Sequence, residues 1–218
     1  MAAVGNVDPA LVAQVRAAFE TRCIALLQWA CHTLKSNKKV DTDWGEENIS
    51  ANIYTYIKDC QQSIDEDIHV ESEHSFYNQD ILDNKKKARK ASRIDLVFQH
   101  NWSGKRFVFY VEAKNLVESD FTKTGRKQVV KAVTVQKRYI ETGIDHFLNG
   151  HYPKGCLLGY VLNGTISGIV SSLNALMIKL GRNSEQLQFS SGNTLWQIFF
   201  SNHATQNMQI DHCLFDFR

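Results

Sequence analysis

The stretch Arg93–Asn115, RIDLVFQHNWSGKRFVFYVEAKN, decides the fold. Two runs rich in β-branched and aromatic residues, Arg93–Gln99 and Arg106–Asn115, flank a polar connector centred on Ser103-Gly104. Such a connector between such runs predicts a β-hairpin. A hairpin symmetric about Ser103-Gly104 pairs residues whose numbers sum to about 207, which sets Asp95 opposite Glu112. Every second side chain of a strand points the same way. Val108, Tyr110, Glu112 and Lys114 therefore share a face, with Asp95 and Val97 beside them. Two carboxylates and a lysine converge in an otherwise apolar sheet.

Burying an unpaired carboxylate is costly, and such groups are normally paired or coordinate a metal. Asp and Glu oxygens suit Mg²⁺, which takes one or two carboxylates and completes its shell with water and substrate phosphate. A neighbouring lysine partly neutralises such a site and reaches a phosphate or an attacking water. An Asp–Lys or Glu–Lys ion pair across an exposed hairpin gives the same sequence. The residues alone leave both readings open.

Asp95, sixteen intervening residues, and Glu112-Ala113-Lys114 at the end of an apolar strand resemble the PD-(D/E)XK nuclease superfamily, the restriction-endonuclease-like fold. Ile94 stands where a proline often precedes the first acid. The resemblance spans roughly residues 43 to 164 and leaves both ends unexplained. It implies a Mg²⁺-dependent nuclease, with Mn²⁺ able to substitute. Asp95 and Glu112 would hold the metal, the Ala113 carbonyl would be a further ligand, and Lys114 would orient or deprotonate the attacking water. The superfamily often adds an acid from its first core helix. Here Glu46 is the geometric choice, roughly 40° from the centre of the apolar stripe at about 100° per residue, with Glu47 in reserve. The competing role for both is to oppose the helix dipole.

The chain of 218 residues suits one domain, with 43% hydrophobic and 22% charged residues and two prolines. A formal net charge of +2 is no nucleic-acid signature by itself, so clustering of basic residues matters more. Five scattered cysteines without metal spacing read as reduced and structural, which with the absence of a leader pattern predicts a cytoplasmic protein. No run of about 18 apolar residues occurs, so no membrane span is expected.

Asp8-Pro9 starts a long amphipathic helix reaching about Lys35. Asp43 reads as the cap of a second helix, with Glu46 completing a capping box and Ile49, Ile53, Tyr56, Ile57 and Cys60 buried. Residues 64–76 read as the first strand. The lysine-rich run before Asp95 offers Lys85, Lys86, Lys87, Arg89, Lys90 and Arg93 as phosphate contacts, or a solvated loop. Residues 115–125 read as a loop and 125–148 as a helix burying Val129, Val133, Gln136, Ile140 and Ile144. Lys127, Lys131, Gln136 and Arg138 on it are further nucleic-acid candidates. Gln136 with Tyr139 is similar to a Gln–Tyr pair of some superfamily nucleases, one residue short in spacing. Cys156–Leu162 reads as a buried strand, Ile166–Leu180 as a helix closed by Gly181, and Leu195–Ser201 and Met208–Asp216 as two strands. His203, His212 and Cys213 fit no metal spacing.

The expectation is an α/β protein: a restriction-endonuclease-like α-β-β-β-α-β core, its mixed sheet flanked by helices, with an extra N-terminal helix and a C-terminal helix-strand-strand extension. The function expected is nuclease, with DNA favoured as substrate. Analogy with bacterial antiviral or restriction systems adds a helicase or ATPase partner, and a homo-oligomer stays open. The rivals are a non-cleaving nucleic-acid-binding or assembly subunit on the same fold, and a protein whose hairpin carries only an ion pair.

Overall fold

The hairpin closes on a type I′ turn: Ser103 and Gly104 have φ of +48° and +74°. That turn's twist matches the twist of the strands it joins. It connects β2 (Ser92–Trp102) and β3 (Lys105–Val117), whose pairs run from Leu96↔Val111 to Trp102↔Lys105, each summing to 207 as the symmetric reading requires. The protein is described by a computed structural model covering residues 7–77, 82–85, 87, 91–124, 127–152 and 155–218.

Around the hairpin lies a mixed seven-stranded sheet. β1 (His69–Phe76) pairs antiparallel with β2 at one edge. On the other side of β3 lie, in order, β6 (Gly155–Asn163), β9 (Met208–Asp216), β8 (Trp196–His203) and β7 (Gln188–Gly192). β3, β6 and β9 are parallel neighbours. β4 (Phe121–Thr122) and β5 (Val129–Val130) form a separate two-stranded ribbon.

Helices cover both faces. α1 (Pro9–Asn37) and α2 (Glu46–Lys58) pack on one, burying Leu26, Leu27, Ile49 and Ile53 against Leu96, Phe98, Val111, Leu158 and Tyr160. The opposite face carries a composite helix: α4 (Ala132–Arg138), a π-helical turn (Tyr139–Ile144) and α5 (Asp145–Leu148). With α6 (Ile166–Lys179), it packs on Val97, Leu116, Leu157, Val161 and Leu214. Every residue of β6 from Gly155 to Leu162 is buried, because a central parallel strand is apolar on both sides. No described helix is long and apolar enough to cross a membrane.

Four expectations are corrected. α2 begins at Glu46 with Gly45 as a cap lacking any side-chain bond, so the Asp43–Glu46 capping box does not form. Asp43 instead accepts the Thr124 backbone N–H at 2.8 and 3.0 Å. Residues 64–68 belong to the end of a short helix, α3 (Gln61–Asp65), and a turn, so the first strand starts at His69. The long helix begins at Ala132, not near 125, leaving Val129 and Val133 49% and 58% exposed. The C-terminal part adds three strands rather than two, and they extend the central sheet itself.

Asp8 caps α1 as expected, accepting from the Ala10 N–H at 2.9 Å. Thr165 caps α6 through the Gly168 N–H at 3.0 Å. All five cysteines are free and four are buried.

Candidate active site

The end of β3 carries Glu112 and Lys114, 5% and 6% exposed. One ammonium serves several acceptors: Lys114 Nζ donates to Glu112 Oε1 at 2.5 Å, the Ala113 carbonyl at 2.8 Å and Glu46 Oε1 at 3.2 Å. Glu46 reaches this point because it opens α2, whose first turn abuts the end of β3. Its other oxygen accepts the Asn115 N–H at 3.0 Å, while the Asn115 amide donates to the Trp44 carbonyl at 2.9 Å. Asp95, on the neighbouring strand, accepts the Ala113 N–H at 2.7 Å. The structure therefore brings Asp95, Glu112, Lys114 and Glu46 into one site. Glu47 is exposed at the rim.

Burial dominates the electrostatics. It pushes the Asp95 carboxyl up to about 6 against the opposing pull of Lys114 and the Ala113 N–H. It also raises Glu112, with Asp95 and Glu46 adding to the rise and Lys114 working against it. The Lys114 ammonium is raised: the three carboxylates around it outweigh the burial that would discharge it. This is a cluster of three acids served by one cation, short of positive charge.

Glu112 Oε2 carries that shortage. It is buried and, among the described residues, has no hydrogen-bond partner. An ionised carboxylate oxygen only accepts, so the partner that the charged form lacks is a donor or a cation. Two carboxylates on adjacent strands suit a hard divalent ion that keeps several waters. Among the described residues no group of three or more His, Cys, Asp or Glu is arranged to hold a metal. A cation here would therefore draw on Asp95 and Glu112 and leave much of its shell to water and substrate. The Ala113 carbonyl, expected as a further ligand, already accepts from Lys114.

Two side chains that the sequence did not announce stand beside the carboxylates. Tyr152 donates to the Arg93 carbonyl at 2.5 Å, and its phenol is raised by burial and by Glu112 and Asp95. His146 Nδ1 lies 3.3 Å from the Tyr152 hydroxyl, and burial, His151 and Lys114 lower the imidazole. No short motif links them to Glu112, so only the fold reveals them.

On the α2 side the site opens into a cleft of about 470 Å³. Its lining includes Glu46, Lys114, Asn115, Phe121, Lys123 and Arg138. Of the basic residues singled out from sequence as nucleic-acid contacts, Arg138 alone among those described lines it. Lys85, Lys87 and Lys127 are exposed elsewhere, Lys131 pairs with Asp120 at 2.7 Å, and Arg93 pairs with Glu73 at 3.4 Å. Lys86, Arg89 and Lys90 lie outside the described residues. Gln136 is no surface contact: it is buried and donates to the Val117 carbonyl at 3.0 Å. Tyr139 is likewise buried and bonds His212, so the Gln–Tyr pair does not reach the site. Lys123 is the cleft cation that sequence reasoning left out of its candidates. Comparison with protein-family models, with characterised proteins and with solved structures gives no match, so the reading of this site rests on its geometry.

Proposed function

We propose that the chain is a Mg²⁺-dependent nuclease, hydrolysing phosphodiester bonds of nucleic acid, with DNA the favoured substrate, on a restriction-endonuclease-like core. The observation that carries this reading is the buried Glu112 oxygen beside Asp95, without a partner among the described residues and joined through Lys114 to a cleft that Lys114, Lys123 and Arg138 line. The order α2, β1, β2, β3, composite helix, β6 supports it, being the α-β-β-β-α-β succession of that core. A cation bound to Asp95 and Glu112 would lower the pKa of a water and offset charge growing on the phosphate.

The chain's own residues supply the rest. Lys114 fixes Glu112 and Glu46 relative to each other. Its bond to Glu46 is its longest, and so the one most readily exchanged for a phosphate oxygen or a water. Glu46 would then be released to order water in the cleft. Lys123 and Arg138 would hold the flanking backbone, which sets affinity and its salt dependence but no sequence preference.

The decisive experiment incubates the purified chain with plasmid, linear duplex, single-stranded DNA and RNA, with Mg²⁺ and with chelator. Cleavage is expected with Mg²⁺ alone, and Asp95→Asn and Lys114→Ala should each reduce it by about 100-fold or more. Undiminished cleavage by either folded variant would sink the assignment. A second reading, a non-cleaving subunit, draws on the three protein acceptors already bound to the Lys114 ammonium. Ca²⁺ in place of Mg²⁺ separates binding from cutting. Binding with both ions and cutting with neither would favour that reading.

A further inference from the structure

Away from the carboxylates, an unbroken line of hydrogen bonds crosses the core on the α6 side of the sheet. Tyr139 Oη and His212 Nδ1 are 2.9 Å apart, and His212 Nε2 and Ser201 Oγ 2.8 Å. Ser201 Oγ lies 2.7 Å from His203 Nε2, and His203 Nδ1 2.7 Å from Glu185 Oε2. Arg182 closes the line, donating to Glu185 Oε2 at 2.8 and 2.6 Å and to Asp145 Oδ1 at 2.7 Å. Tyr139, Ser201, His203 and His212 are at most 1% exposed.

Counting protons gives this line a direction. The Glu185 carboxylate only accepts, so His203 Nδ1 carries the proton. With that ring neutral, His203 Nε2 accepts, and the Ser201 hydroxyl must donate to it. Serine has one proton, so His212 Nε2 donates to Ser201 Oγ. His212 Nδ1 then accepts from Tyr139. Four bonds use four protons, and the two histidines hold opposite tautomers.

Both ends land on one segment. Tyr139 opens the π-turn, and Asp145 immediately follows its last residue, Ile144. π-turns are rare within helices and are found mostly where function requires them. Residue 146 comes next, the histidine whose Nδ1 meets the Tyr152 hydroxyl beside Glu112. We infer that this one-way chain braces the π-turn and, through His146 and Tyr152, positions one wall of the carboxylate site. Its bearing on cleavage rests on the nuclease reading; the brace itself does not.

The surroundings keep the chain in this direction. Burial holds His203 neutral, with Arg182 on the same side, against the pull of Glu185 and Asp145. Burial and His203 together hold His212 neutral. Burial, Cys213 and Cys156 hold the Tyr139 phenol protonated, so it stays a donor. A proton added to His203 Nε2 would turn Ser201 round, drive His212 to its Nδ1–H form and deprive Tyr139 of its acceptor.

Proton–nitrogen correlation spectra of the imidazole rings of the full chain test this at pH 7. His203 should be protonated on Nδ1 alone and His212 on Nε2 alone; the reverse tautomer in either ring, or a charged ring, overturns the chain. Ser201→Ala removes the hydroxyl with little change of volume. It should release the His212 tautomer and shift the His146 imidazole signals and, in proton–carbon spectra, the Tyr152 ring signals, while leaving those of His69, on the far edge, in place. Unmoved His146 and Tyr152 signals overturn the positioning role. Should Ser201→Ala fail to fold, Tyr139→Phe removes only the terminal donor and is expected to give the same shifts. With Mg²⁺ and DNA, the folded variant should lose about tenfold in kcat with KM held, a cost typical of misplaced groups; an unchanged kcat overturns the positioning role. A wild-type chain that cuts no substrate sinks the nuclease reading and leaves the ring spectra to decide the brace.

Discussion

At the scale of single residues, the site is a place where folding works against itself. Asp95, Glu112 and Glu46 crowd around Lys114, and an oxygen of Glu112 goes unpartnered. Asp95 shows the consequence. Its folded value of about 6 lies above the ordinary 3.8, so its contribution favours folding below pH 3.8 and is lost as pH rises through 6. Two units correspond to roughly 3 kcal/mol against the metal-free fold at neutral pH. Asparagine keeps an oxygen for the Ala113 N–H and removes the charge. In chelator at pH 7.5, Asp95→Asn should therefore be more stable than wild type by about 2–3 kcal/mol in urea unfolding. The gap should close as pH falls from 6 to 4, and a variant less stable at both pH values would contradict this account. The pairing of Asp95 with Glu112 was legible in the sequence because strand alternation and a Ser-Gly turn fix register. Tyr152 and His146 were not, since their approach to Glu112 depends on how the composite helix packs against β2 and β3.

At the scale of elements, the hairpin, β6, the start of α1 and the bounds of α6 were legible, and the starts of α2 and the composite helix were not. The Asp43-x-x-Glu46 spacing imitates a capping box, yet the cap is Gly45, which offers no side chain to read. Val129 and Val133 fall at helical spacing, but Val129 goes into the ribbon opposite Thr122 and Val133 faces outward on α4. Gln136, Ile140 and Ile144 are buried as expected, joined by Ala132 and Tyr139, so the misses lie before the π-turn. The junction of β3 and β6 is tightly packed on backbone: a Cβ on Gly155 would stand 2.1 Å from the Tyr110 carbonyl oxygen. Because backbone cannot move aside as a side chain does, Gly155→Ala should cost about 3 kcal/mol or more in chemical denaturation. The ribbon and α4 also furnish the cleft's cations. Replacing Lys123 or Arg138 by alanine should weaken DNA binding in Ca²⁺ similarly for unrelated sequences and lower the salt slope by about one each. A sequence-selective loss would instead mark a base contact.

At the scale of the whole molecule, two buried sets of titrating groups pull stability in opposite directions as pH changes. Glu112 is raised by burial, so the stability it lends in acid is lost as pH rises from its ordinary 4.5 through its higher folded value. His212 is pushed down to about 3 from 6.5 by burial, so its contribution is whole above pH 6.5 and is lost as pH falls towards 3. Between about pH 4.5 and 6 the falling His212 contribution offsets the returning Glu112 contribution, which leaves Asp95 to set the slope there. Above pH 6.5 Glu112 acts without an opponent in this pair. Metal-free protein should lose stability from pH 6.5 to 8 at up to about 1.4 kcal/mol per pH unit. A cation on Asp95 and Glu112 binds only the folded chain and favours the ionised carboxylates, so saturating Mg²⁺ or Ca²⁺ should flatten that alkaline slope. Urea titrations at pH 5, 6.5 and 8, with chelator and with Ca²⁺, read both arms at once. An alkaline slope that survives Ca²⁺ would mean that the carboxylate pair takes no ion, and that Lys114 is there only to neutralise it.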